Sequence, residues 1–207
     1  MDTASTEDTR RHRVRGPYAT GKAKREAIID GAIEVFSETG YTAGSLRAIA
    51  EKAGISQPSI FHYFADKAEL FLAVLERRDK WAQEVAFGDG ESGLLRGIIR
   101  LAEALETMPG TVQLYVIVAS EATALDHPAH ERFREDRERY RQAVTACLDR
   151  LAADGLYLGA APTAQAAASI IALLDGIQMQ WLLDHDSVGI AATMRSFIGT
   201  LVHLDEI

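Results

Sequence analysis

SLRAIAEKAGISQPSIFHYFADKAEL, Ser45 to Leu70, holds two short helical patterns on either side of Gly54, followed by a run of aromatic residues and a lysine. Two helices pack at roughly 90–120° when a three- or four-residue turn containing glycine joins them. Ile49, Ala53, Ile55 and Ile60 supply the inward positions of such a pair, Ala50 is small where the helices cross, and Gly54 takes the turn. Ser56 then stands at the N-cap of the second helix, where its side-chain oxygen is expected to meet free backbone amides. That helix is short and carries Gln57, Pro58, Ser59 and His62 outward. An edge of this kind fits a major groove, where glutamine reads adenine through paired donor and acceptor contacts. Phe61 offers a face to a thymine methyl group, and Tyr63 and Lys67 offer a hydroxyl and a charge to phosphates. Phe64 reads as a core anchor. The plain alternative is a helical bundle in which Phe61, Tyr63 and Phe64 all fill the core and nothing binds.

Outward from this stretch nearly every periodic segment has helical spacing, which predicts an all-α chain of about nine helices. From Lys22 to Thr39, Ile28, Ile29, Ala32, Ile33 and Phe36 form one apolar stripe, and Gly40 supplies a left-handed stop. Ser45 caps a second helix to about Lys52, and Asp66 with Glu69 resembles a capping box opening a fourth. Gly88 to Gly93 reads as a loop, Pro109 and Gly110 punctuate two helices, and a long amphipathic run covers Ala129 to Ala153. Pro162 and Ser187 mark the starts of the last two helices. The expected division is an arm over residues 1–21, a helix-turn-helix domain over 22–68 and a second helical domain over 69–207, with the boundary inside the fourth helix.

The net charge of −8 argues against a nucleic-acid partner until its distribution is examined. Between Arg10 and Arg25 there are seven basic residues and no acidic one, whereas from residue 81 onward nine basic residues face eighteen acidic ones. A basic end for an acidic polymer and an acidic body for something else follow from that asymmetry. Arg10, Arg11, Arg13 and Arg15 are the expected phosphate-following arm, with a solvated tail as its alternative. The first 25 residues lack an apolar signal-peptide core. The most apolar stretch, Ala164 to Leu183, is interrupted by Gln165, Asp175, Gln178 and Gln180. The chain therefore reads as cytoplasmic, with no membrane partner. A single cysteine, Cys147, excludes an intrachain disulfide framework.

The span from about Lys22 to Leu75 combines three motifs. The first helix ends in FSETGY, the turn reads IAEKAGIS, and the aromatic element reads FHYFADKAEL. Together these resemble the DNA-binding domain of the TetR family of transcriptional regulators; the rest of the chain carries no comparable motif. The resemblance implies that Thr42 and Ser45 touch phosphates, that Gln57, Ser59 and Phe61 face bases, and that His62, Tyr63 and Lys67 hold the DNA backbone. Phe61 departs from the tyrosine frequent in the family, which removes a hydroxyl contact. It also implies a homodimer on double-stranded operator DNA, released by a small-molecule effector in the C-terminal domain.

The last two helices have broad apolar faces, Ala167, Ile170, Leu174 and Ile177 on one and Phe197 and Leu201 on the other. They form either intrachain core or a four-helix dimer bundle, the latter being where the resemblance places dimerisation. Tyr115, Tyr140, Gln178 and Trp181, polar-tipped or aromatic groups on otherwise apolar faces, are the expected effector contacts. GDGESG, Gly88 to Gly93, matches the letters of a dinucleotide fingerprint but lacks the preceding strand, and Asp89 and Glu91 would repel a pyrophosphate. His127, His130 and Glu131 lie close together yet fall short of a metal site without further ligands, so no metal or cofactor is expected. Cys147 lies among apolar residues and reads as a buried thiol rather than a redox sensor. No catalytic grouping is legible. The alternatives to a ligand-responsive repressor are a constitutive architectural DNA binder and, further off, an enzyme on a helical scaffold.

Overall fold

The computed structural model describes residues 17–87 and 93–206. Arg10, Arg11, Arg13 and Arg15 lie outside them, as does most of the GDGESG segment. Among the described residues there are nine α-helices, α1 Pro17–Ala43, α2 Leu46–Lys52, α3 Gln57–Ile60, α4 Lys67–Phe87, α5 Leu94–Leu105, α6 Pro109–Glu121, α7 His130–Ala153, α8 Thr163–Leu183 and α9 Ile190–Gly199. A short 3-10 turn, Leu204–Glu206, follows.

The first helix starts five residues earlier than its apolar stripe suggests, at Pro17, and runs through Gly21. Proline needs no amide partner in the first helical turn, so Pro17 starts this helix instead of breaking it. Gly40 interrupts α1 with φ 73° and ψ 179°. Only glycine enters that region cheaply, and a β-carbon there would lie 2.7 Å from the Glu121 carboxylate.

Two cores result. The first gathers Ile28, Ile29, Ala32, Phe36, Ile49, Ile60, Phe64, Phe71 and Val74 from α1 to α4, closed by Leu114 and Val118 of α6 and Ala122 just after it. The second gathers Leu95, Ile99, Leu105, Leu148, Ala167, Ile170, Ile177, Trp181, Met194, Ile198 and Leu201 from α5 to α9 and the segment after it. Helix α4 serves both, since Leu70, Phe71 and Leu75 enter the first core while Trp81 packs on the second.

These cores decide the question left open for the last two helices. Ala167, Ile170, Ile177 and Leu201 are buried within the protomer, and Phe197 is half-buried against the same core. Burial takes Ala167, Ile170, Ile177 and Leu201 out of the expected dimer interface, because the inward stripes of α8 and α9 pack on α5, α6 and α7. Leu174 is partly buried and lines a cavity.

The last helix also differs from its expected span. Ser187 lies in a turn, its Oγ donating to the Asp184 carbonyl, and α9 begins at Ile190, where Glu106 accepts the Ala191 amide at 3.1 Å. After Gly199 the chain leaves the helix, and Leu201 uses its carbonyl to receive the Leu158 amide at 2.8 Å.

Candidate nucleic-acid interface and ligand cavity

The helix-turn-helix is built by local chemistry. Ser45 caps α2, its Oγ accepting the Ala48 amide at 3.1 Å. Gly54, at φ 65°, makes the turn and the Ile55 amide returns to the Ala50 carbonyl at 3.0 Å. Ser56 does not cap α3 through its side chain; its Oγ meets the Ser59 hydroxyl at 2.7 Å. The reason lies in Pro58 and Ser59. A cap oxygen serves the amide of the second or third helical residue. Pro58 has none, and the Ser59 amide is already held by the Ser56 carbonyl at 2.9 Å. Both hydroxyls therefore stay on the open edge.

That edge presents Gln57, Pro58, Phe61 and His62 to solvent, with Ser59 partly covered. Phe61 is 51% exposed, a large apolar ring that the core leaves out, while Tyr63 is half-buried against the core and Phe64 is enclosed. Arg25 lies over the Phe64 ring at 4.9 Å. Thr42, far away in sequence, joins the same surface: Lys67 donates to the Thr42 carbonyl at 3.2 Å and sits 4.5 Å from the centre of the Tyr41 ring. Burial lowers the Lys67 pKa, and the Glu121 carboxylate opposes the shift.

On the far side of α4 lies a cavity of about 550 Å³, lined by α4 to α8. Its apolar lining includes Leu94, Ile98, Leu101, Ile171 and Leu174. Charged side chains line it as well. Arg78 donates to Asp79 at 3.3 Å, Arg132 to the same carboxylate at 2.5 Å, and Arg137 lies 3.5 Å from Asp175. Tyr115 donates its hydroxyl to Asp175 at 2.7 Å and carries the Arg78 guanidinium over its ring at 4.2 Å. Burial pushes the Asp175 carboxyl upward, countered by Arg137 and Arg78, and burial also lowers both guanidinium pKa values. Guanidinium groups nevertheless stay charged.

Three of the four sequence-selected contacts, Tyr115, Tyr140 and Gln178, meet in this cavity. Trp181 does not; it is buried in the second core and stacks on His185 at 4.1 Å, so its assignment to the cavity is corrected. Sequence reading missed Arg78, Arg137 and Asp175. On a surface-rich helix an arginine looks solvated, and only packing shows that these side chains turn inward.

Other expectations resolve locally. His127 accepts the Ala129 amide at Nδ1 (3.2 Å), and the His130 Nδ1 lies 2.9 Å from the Ala122 carbonyl, so both rings serve the loop between α6 and α7. Cys147 is buried, and burial raises its thiol pKa, away from a reactive thiolate.

A family model for bacterial regulatory proteins of the tetR family matches residues 28–74, and a second, for the C-terminal part of BetI-type transcriptional repressors, matches residues 95–203. The chain belongs to the tetR family. This is a family of transcriptional regulators, not of enzymes. The C-terminal match covers the part of the chain that carries no comparable motif. Among relatives, the transcriptional repressor AcnR of Corynebacterium glutamicum is 34% identical over 84 residues, 41% of this chain and 45% of that protein. The transcriptional regulator RutR of Escherichia coli is 40% identical over 55 residues, 27% of this chain and 26% of its own. The chain spans about half the length, or less, of these tetR-family relatives. A tetR-family regulator from Agrobacterium tumefaciens superposes with TM-score 0.74 at 19% identity, covering 87% of this chain and 98% of that one. A transcriptional regulator from Saccharomonospora viridis, solved with choline, gives TM-score 0.73 at 20% identity over 88% and 99% of the two chains. These likenesses establish the tetR-family fold.

Proposed function

We propose that this chain is a ligand-responsive repressor, which as a homodimer binds a pseudo-palindromic operator in the cytoplasm and leaves it when a small molecule fills the cavity. The observation that carries this reading is the dual use of α4. Its first residue, Lys67, belongs to the surface formed with Thr42 and α3, and eleven positions later Arg78 lines the cavity, about 17 Å along one helix. A ligand that prefers one placement of α4 thereby prefers one placement of the recognition edge, and release follows from that difference in affinity.

The homodimer draws support from the outward face of α8. Gln165, Ala168, Ala172, Gly176, Met179 and Leu183 follow one another at helical spacing, with Met179 52% and Leu183 81% exposed. Small residues at Ala168, Ala172 and Gly176 allow close approach of a second α8 across a two-fold axis. Such an axis would set the two α3 edges on half-sites about one turn of DNA, ~34–36 Å, apart. Choline, found in the Saccharomonospora viridis protein, is not carried over as effector, since the rings here already face arginines.

A gel-shift on the DNA flanking the coding region tests the reading, with random DNA as competitor. A discrete complex that resists the competitor is expected. Equal loss to random DNA would favour an architectural binder.

A further inference from the structure

The charged lining of the cavity has more cation than anion. Arg78, Arg132, Arg137 and Arg139 line it against Asp79, Asp136 and Asp175. Two of these carboxylates are shared, Asp79 between Arg78 and Arg132, and Asp136 between Arg132 and Arg139. The third, Asp175, already receives the Tyr115 hydroxyl besides Arg137. Two buried polar atoms on this wall have no hydrogen-bond partner among the described residues: Nε of Arg78, a donor, and Oε1 of Gln178, an acceptor. Gln178 is 1% exposed, and its amide nitrogen is fixed on the Leu174 carbonyl at 2.9 Å, which leaves Oε1 as the free atom. A buried donor or acceptor without a partner is costly, so a ligand that supplies both partners is favoured by that difference.

The aromatic rings argue against a cationic ligand. A quaternary ammonium is recognised over aromatic faces. Here Arg78 lies 4.2 Å and Arg137 5.4 Å from the Tyr115 ring centre, and Arg137 lies 5.9 Å from both Phe133 and Tyr140. Those faces already have their cations, which would repel another. The lining also holds the aliphatic Leu94, Ile98, Leu101 and Leu174, and the volume of about 550 Å³ suits a ligand of roughly drug size.

We propose that the cavity binds an amphipathic carboxylate, its acid group on Arg78 and Arg137, a hydroxyl near that group donating to Gln178 Oε1, and its apolar tail among Leu94, Ile98, Leu101 and Leu174. This deepens the repressor reading by naming the chemical class of its effector, and it rests on that reading only for the consequence on DNA.

Calorimetry on the full chain with decanoate, 3-hydroxydecanoate, decanol and decyltrimethylammonium tests it, since the four share a tail and differ at the head. Decanoate should bind about tenfold or more tighter than decanol, the size expected of a hydrogen bond to a charged group. The hydroxy acid should bind more tightly still, and the ammonium should not bind measurably. Arg78→Met should lower decanoate affinity tenfold or more while leaving decanol near its wild-type value. Gln178→Leu should abolish the preference for the hydroxy acid. Should Arg78→Met fail to fold, the wild-type head-group series decides alone. An ammonium that binds as well as the acid, or an acid no better than the alcohol, overturns the proposal, and equal binding of the two acids removes Gln178 from it. A parallel gel-shift separates the two readings. Operator binding without acid binding defeats this inference alone, whereas acid binding without any operator complex defeats the repressor.

Discussion

Glu121 holds the backbone of Tyr41, its Oε2 accepting the Tyr41 amide at 2.7 Å across eighty positions of sequence. Oε1 takes the next amide, that of Thr42, at 3.1 Å. These amides are freed where Gly40 breaks α1, so the last residue of α6 caps the helical turn that leads into α2. Tyr115, six residues back on α6, reaches the cavity. One helix thus touches both the cavity and the backbone beside the recognition surface.

Glu121→Ala should leave two amides without their charged acceptor and lower stability by about 1.5–3 kcal/mol, the range for hydrogen bonds to charged groups. The larger effect is expected on coupling, with cavity ligands still bound but shifting operator affinity less. Urea melts and gel-shifts with and without ligand measure the two. An unchanged ligand effect would remove Glu121 from the path.

Gly40→Ala should damage the same joint from the other side. It combines a positive φ of 73° with a β-carbon 2.7 Å from the Glu121 carboxylate. A loss of more than about 1 kcal/mol is expected, and chemical denaturation showing a neutral change would contradict it.

His127 should make stability fall on mild acidification. Its ring is buried edge-on against Tyr41 and Phe71, with centres 5.0 and 5.6 Å away, and Nε2 has no hydrogen-bond partner among the described residues, the Glu121 carboxylate lying 4.0 Å off. Burial holds its pKa below the ordinary 6.5 despite Glu121 and Asp126. The unfolded chain takes its proton at about 6.5 and the folded chain only at lower pH. The contribution is therefore fully present above that value and declines as pH falls, by at most ~1.4 kcal/mol per pH unit for one proton. His127→Gln should show a shallower decline of unfolding free energy between about pH 7 and 5. Parallel curves for the two proteins would refute this.

Gln57→Ala should cost ~1–3 kcal/mol on the operator and relax preference at one position of each half-site. Gln57 is exposed on the α3 edge and contributes little to the fold, so thermal stability should hardly move. Binding selection from a randomised half-site would reveal an unchanged preference if the side chain reads no base.

Ala172→Arg with Met179→Glu, on the outward face of α8, should yield a folded monomer by sedimentation. Ile177→Glu should instead destabilise the protomer by several kcal/mol, because Ile177 is 3% exposed within the second core. A dimer that survives the outward pair would place the interface elsewhere.

Much of the N-terminal third was legible because its determinants are local. Gly54 sets a turn, Ser45 caps its own helix, and the spacing of Ile49, Ile55 and Ile60 defines one packed face; each signal acts within a few residues of its source. The expected side-chain cap at Ser56 failed for an equally local reason, the missing amide of Pro58. Helix periodicity likewise marked the apolar stripes of α8 and α9, since 3.6 residues per turn assigns residues to faces. Periodicity says which residues share a face but not what that face meets. Whether Ile170 and Ile177 meet α7 or a second subunit depends on contacts between segments far apart in the chain. Only tertiary packing could turn that stripe inward, gather Arg78, Arg137 and Asp175 around Tyr115, and bring Glu121 to the amides at Tyr41 and Thr42.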